Sequence, residues 1–174
     1  HAHLDHSGYL PRLIKEGFRG PIYMSHATAD VAELILLDSA HIQERDAESA
    51  NRHGYSKHRP ALPLYTVGDA KRALQHFHKV DFNAETALPG GAHLVLRRAG
   101  HILGAATAQL SWPGKKIVFS GDLGRYGDAV MRDPEPVPEA DHVIVESTYG
   151  DRMHNGEVAT DVLGDIIEKT VARG

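Results

Sequence analysis

The sequence opens on His1-Ala2-His3-Leu4-Asp5-His6, which puts four side chains able to bind a metal within six positions. An alternating His-x-His aims two imidazoles at one point from a loop that leaves a strand, and Asp5 and His6 are placed to serve a neighbouring ion. A histidine-rich loop without chemistry is the competing reading, although the aspartate and the spacing count against a purification tag. Two later residues fit the same centre. His101 lies in Ala99-Gly100-His101-Ile102-Leu103-Gly104, where flanking glycines let the backbone come close to a ligand or ion. Asp122 ends the apolar run Ile117-Val118-Phe119 in Ser120-Gly121-Asp122-Leu123-Gly124-Arg125, the place where a strand hands a carboxylate to a sheet edge. Taken singly, such a histidine is more often structural and such an aspartate is as readily a turn residue.

These residues need a scaffold, and the chain is long enough to provide one. Its 174 residues, 41% hydrophobic and 24% charged, suit one ordinary globular domain. With no cysteine, disulfides and thiolate metal sites are excluded, so a metal must be held by histidine and carboxylate. A formal charge of −4 argues against a general electrostatic binder of nucleic acid, so any such contact must be local. No apolar run is long enough to span a bilayer and no signal-peptide pattern opens the chain. A cytoplasmic protein without membrane contact is expected.

The elements that would position the site follow from pattern. A short helix is expected over residues 9–17 after the polar His-rich loop, and Pro21 to Met24 reads as a strand. From about Thr28 to Asn51, Val31, Leu34, Ile35 and Ile42 recur at helical spacing, which predicts one buried face. His41, His53 and His58 are expected at the surface beside or beyond it. Thr66 and Asp69 approximate a capping box, opening a second helix expected to run to about Val80, with His76 and His78 on different faces and structural. Residues 92–122 alternate as strands around a Pro113-Gly114 turn. A surface connection over 132–141, a strand over 142–146 and an amphipathic helix over about 157–171 complete the reading.

Together, HAHLDH, GHILGAA and FSGDLGR, in that order, resemble the second, third and fourth motifs of the metallo-β-lactamase superfamily. Val145-Glu146-Ser147-Thr148-Tyr149-Gly150-Asp151-Arg152, with His154, is similar to the entry into its nucleic-acid-processing β-CASP branch. The resemblance covers the whole chain. It implies an α/β fold, the superfamily's αββα sandwich, with residues 1–150 a partial metallo-β-lactamase domain and 151–174 the beginning of a β-CASP domain. It implies two zinc ions, with His1, His3 and His101 on the first, Asp5 and His6 on the second and Asp122 bridging. Asp5 and Glu146 are the implied catalytic residues, Glu146 as the acidic group that orients a leaving-group histidine. His154 receives no catalytic role and reads as structural.

The implied activity is hydrolysis of RNA phosphodiester bonds by attack of a metal-bridging hydroxide, in the manner of an mRNA-processing ribonuclease. Single-stranded RNA is then the substrate and partner, while endo- or exonucleolytic action and a homodimer stay open. A thioester or lactam hydrolase and a non-catalytic scaffold are the alternatives. The segment from Glu146 to Arg152 weighs against the first, and the presence of all six ligands weighs against the second. Because the superfamily's upstream aspartate strand, its final histidine and most of the β-CASP cap have no counterpart, the chain reads as an excerpt, expected to bind metal weakly alone. Arg97, Arg98, Lys115, Lys116, Arg125 and Arg152 are candidates to line a phosphate path.

Overall fold

The computed structural model describes residues 1–137, 139–152 and 159–174. In chain order the elements are α1 (Leu4–Ser7), α2 (Leu10–Lys15), β1 (Ile22–Ser25), α3 (His26–His53), α4 (Val67–Leu74), β2 (Phe77–Val80), β3 (Thr86–Ala87), β4 (His93–Arg98), β5 (Ala106–Trp112), β6 (Lys115–Phe119), β7 (His142–Ile144) and α5 (Ala159–Arg173). The fold is α/β with mixed sheets. Strands β3 to β6 pair antiparallel in chain order, and β7 adds in parallel to β6. Separately, β1 and β2 pair in parallel, which requires the long crossover that α3 and α4 supply. Where β2 runs out, Phe82 bridges Leu96 and the Asn83 amide donates to the Leu96 carbonyl at 2.8 Å, tying the small pair to the larger sheet.

Helix α3 starts where the Ser25 hydroxyl accepts from the Thr28 amide, and ends at Gly54, whose φ of 69° closes the last turn. Its buried face matches the expected one in part: Val31 and Ile35 pack against the core cluster, but Leu34 and Ile42 do not. Leu34 and Ile42 are 71% and 50% exposed, whereas Ala29, Ala32, Leu36 and Ala40 are buried. The alanines let α3 pack closely against Tyr65 and Ala70 with Leu36 between them, so apolar bulk alone does not mark the inner face here. A second cluster, Val80, Leu94 and Leu96, lies under the sheet.

The second helix stops at Leu74, short of the expected Val80, because Phe77–Val80 is drawn into register with β1, a partner some 50 residues away that no local pattern announces. There the His76 ring hydrogen-bonds the Gly20 carbonyl, a structural role as expected. The opening segment also departs from a loop. The amides of His6 and Ser7 both donate to the His3 carbonyl, at 3.0 and 2.9 Å, and wind residues 4–7 into a helical turn. His41, His53 and His58 are exposed. His154 and the expected start of the last helix at 157 lie outside the described residues. No helix among those described is long and apolar enough to cross a membrane.

The capping box forms as read. Thr66 accepts from the Asp69 amide while Asp69 accepts from the Thr66 amide at 2.9 Å, and the carboxylate also meets Arg72 and, at 3.3 Å, Lys15. Burial works against the Asp69 charge, but the Thr66 hydrogen bonds and the Lys15 ammonium outweigh it and hold its carboxyl below the ordinary 3.8. A depressed folded pKa contributes stability above the unfolded value and loses it as pH falls through the folded one. Asp69→Ala should therefore cost ~2 kcal/mol at neutral pH by denaturant melts, and the gap to wild type should shrink below about pH 4.

Candidate metal centre

The centre is assembled from three stretches that the fold brings to one end of the sheet. In the first, alternation does the aiming: Ala2 is fully buried among α3 residues, which turns His1 and His3 to the other side. The Ser7 hydroxyl then donates to the Ala2 carbonyl at 2.9 Å and holds the segment in place. The second stretch carries His101 in the turn between β4 and β5. The Gly104 carbonyl accepts from the Ser25 and Thr28 hydroxyls at 2.7 and 2.8 Å, pinning that turn to the start of α3. The third stretch, after β6, carries Asp122.

Backbone contact locks the second stretch to the third. Gly100 bridges Leu123, and the Gly124 amide donates to the Ala99 carbonyl at 2.8 Å. A Cβ on Gly124 would lie 2.0 Å from the Gly100 carbonyl oxygen, and one on Gly104 would lie 2.3 Å from the Thr28 amide nitrogen. Both glycines thus allow close approach of backbone to backbone, a role that the sequence reading of Gly104 as room for a ligand or ion does not include. Through them the orientation of His101 and that of Asp122 are set by one piece of structure.

The side chains converge. His1 Nε2 lies 3.0 Å from His3 Nδ1, and His101 Nε2 lies 3.4 Å from the same atom. Asp122 Oδ2 sits 3.5 Å from His1 Nε2 and 3.6 Å from His101 Nε2. Its other oxygen, Oδ1, is 3.3 Å from His6 Nε2, and His6 is 3.4 Å from Asp5 Oδ2. One carboxylate therefore faces two groups, His1/His3/His101 on one side and Asp5/His6 on the other, each with donor atoms within 4.8 Å of one another. The first group is the more enclosed: the His1 side chain is 1% exposed, against 34% for His6 and 74% for Asp5.

A cation fits this arrangement. Four donors about 2.1 Å from a tetrahedral zinc lie roughly 3.4 Å apart, close to the separations found in the first group. Hydrogen bonding alone does not explain them, because the single lone pair of His3 Nδ1 cannot accept from both His1 and His101. Imidazole and carboxylate donors without thiolate suit zinc or a similar divalent ion.

Glu146 belongs to the same neighbourhood. Its Oε1 accepts from the Leu123 amide at 2.7 Å and its own amide donates to the Ser120 hydroxyl at 3.0 Å, so it braces both sides of Asp122. A cavity of about 330 Å³ opens beside these residues, lined by His101, Asp122, Glu146, Arg125 and Tyr149 among others. Ser120 and Tyr149 stand inside the quoted motifs without a role of their own, since a serine in a turn and a tyrosine beyond the last strand carry no local signal.

Of the six candidate phosphate contacts, Arg125 lines this cavity. Arg97 bonds Asn83, Arg98 pairs with Glu135, and Lys115 and Lys116 sit by the Pro113-Gly114 turn, at the end of their hairpin remote from Asp122. Arg152 lies over the Tyr149 ring, 5.9 Å from its centroid.

No family model matches the chain. It is 35% identical across its whole length to a ribonuclease of Thermus thermophilus, of which the match covers 36%. It is 31% identical to the cleavage and polyadenylation specificity factor 73 of Drosophila melanogaster, again over all of this chain and 24% of the relative. A transcription termination factor, FttA, of Methanocaldococcus jannaschii is 29% identical over the whole chain and 26% of its own length. The chain thus spans about a third or less of the length of these curated relatives.

Proposed function

Because the chain belongs to the metallo-β-lactamase superfamily, in its β-CASP branch, we propose that it carries the active-site half of a metal-dependent nuclease hydrolysing phosphodiester bonds of single-stranded RNA. The observation that carries this reading is Asp122, whose two oxygens face two separate imidazole-bearing groups. Relatives named ribonuclease and endoribonuclease support RNA as the substrate. Residues 1–150 then belong to the αββα sandwich domain, and 151–174 open the β-CASP domain.

In this reading His1, His3 and His101 hold one ion, Asp5 and His6 a second, and Asp122 reaches both. Two zinc ions there would supply Lewis acidity that activates water and neutralises charge at the phosphate. The chain's own residues do the positioning. Gly100 and Gly124 fix His101 relative to Asp122, and the buried Ala2 keeps the opening histidines turned toward them. Glu146 holds the Leu123 amide, fixing the backbone that follows Asp122, as groups behind metal ligands commonly do. Arg125 offers the cavity a cation for substrate phosphate.

Dialysis of the intact protein against a chelator should abolish cleavage of an end-labelled single-stranded RNA, and adding back zinc should restore it. Cleavage persisting in protein shown metal-free by elemental analysis would contradict the reading.

A further inference from the structure

We propose that the exposed last turn of α3 and the loop that follows it, residues 52–59, form a second contact site for single-stranded RNA, remote from the metal centre, that holds the strand without cutting it. It rests on the reading of the chain as an RNA-cleaving enzyme and adds where the substrate lies.

The loop reverses the character of the chain around it. In a protein of net charge −4, Arg52, Lys57 and Arg59, with His53 and His58, stand in a stretch that contains no carboxylate from residue 49 to residue 68. All five side chains are exposed. None of the three cations has an ion-pair partner among the described residues, whereas Arg72, Lys79 and Arg98 pair with Asp69, Asp30 and Glu135. Exposed, unpaired cations gathered on an acidic chain are what neutralisation of a phosphate backbone requires.

An aromatic platform stands among them. Tyr55 is 67% exposed, and its ring stacks on His53 with centroids 6.4 Å apart and planes 14° from parallel. His53 is held in turn by a ring N–H donated to the Ser49 carbonyl at 2.9 Å. The left-handed Gly54 at the end of α3 makes the reversal that lays Tyr55 there. Asn51 clamps the loop at its far end, donating to the Ala61 carbonyl at 2.9 Å and accepting from the Ala61 amide at 2.8 Å. Beside Tyr55 lies a groove of about 550 Å³ walled by Leu62 and Pro63, with Asp46 and Gln43 along it. That carboxylate disfavours a phosphate and suits the donor edge of a base.

Cations flanking a fixed ring, with a base-sized groove next to it, are the elements of a single-strand platform. An anionic membrane or protein surface would use the cations and leave the ring and groove idle. The separation from the metal centre is large. Helix α3 begins against the Gly104 turn that carries His101, and the 27 residues from His26 to Arg52 extend ~40 Å at 1.5 Å per residue. A stacked strand reaching both places needs about a dozen nucleotides at roughly 3.4 Å each, and an extended one needs fewer.

The test uses the intact protein with a 30-nucleotide single-stranded RNA and a 4-nucleotide one, too short to reach both places even when extended. The triple variant Arg52→Gln, Lys57→Gln, Arg59→Gln should bind the 30-mer at least 10-fold more weakly near physiological salt. Its log–log salt slope should fall by about 2, at ~0.7 per lost phosphate contact, while kcat/KM for the 4-mer stays within two-fold. Tyr55→Ala should weaken 30-mer binding ~5- to 100-fold without changing the salt slope, and Tyr55→Phe should retain it. These side chains are exposed, so thermal melts of all variants should overlay wild type. Unchanged 30-mer binding, or an equal loss in cleavage of both RNAs, overturns the platform while wild-type cleavage of the 4-mer keeps the enzyme reading. A loss in the triple variant with none in Tyr55→Ala overturns it in favour of a plain cationic patch without a stacking platform. Wild type that neither binds nor cleaves either RNA overturns both.

Discussion

Asp122→Ala should lower cleavage of single-stranded RNA by the intact protein at least ~10³-fold, a loss of about 4 kcal/mol of transition-state stabilisation. The size follows from the geometry. Other ligands serve one group each, but Asp122 presents Oδ2 to His1 and His101 and Oδ1 to His6. Removing it takes a donor from both groups and leaves the second with Asp5 and His6 alone, both well exposed to water. The fold should survive, because Asp122 follows the last residue of β6 and makes none of the ladder hydrogen bonds. Single-turnover rates together with a thermal melt would check this. A variant that melts like wild type and still cleaves at a tenth of its rate would show that the two groups do not work through this carboxylate.

Gly124→Ala should destabilise the protein by ~3–5 kcal/mol, enough to lower Tm by about 10 °C, and should release metal as it does so. The added methyl would sit 2.0 Å from the Gly100 carbonyl oxygen, a backbone atom that cannot rotate away. Relief requires Gly100 and Leu123 to separate, and with them His101 and Asp122. Gly114→Ala provides the control: Gly114 has a φ of 75° but open space around it, so strain alone should cost only ~1 kcal/mol and leave metal content intact. Equal losses in the two variants would mean that the contact between the third and second stretches does not set the centre.

Much of this was legible in the sequence where the information is local. The hairpin around Pro113-Gly114, the Thr66 box and the extent of α3 depend on neighbours a few residues apart, and each appears as read. The approach of His1 and His3 to His101 and Asp122 could be anticipated only from the resemblance, because no spacing rule joins residues about a hundred positions apart. Phe77–Val80 was read as helix since Phe-His-Lys-Val has no decisive period and its strand partner is distant. The inner face of α3 was misplaced at Leu34 and Ile42 because alanine packing wins there over hydrophobic bulk. The role of Gly100, Gly104 and Gly124 escaped a reading based on ligands, since close contact between backbones depends on tertiary neighbours.

The central claim is that two cations share Asp122 between the opening histidines and His101. Crystals of the intact protein grown with zinc, measured on either side of the zinc absorption edge, test it most directly. Two anomalous peaks about 3.5–4 Å apart are expected, one enclosed by His1, His3 and His101, the other beside Asp5 and His6, with Asp122 touching both. Density without a peak between these side chains, or imidazoles of His1 and His3 turned away from Asp122, would contradict it.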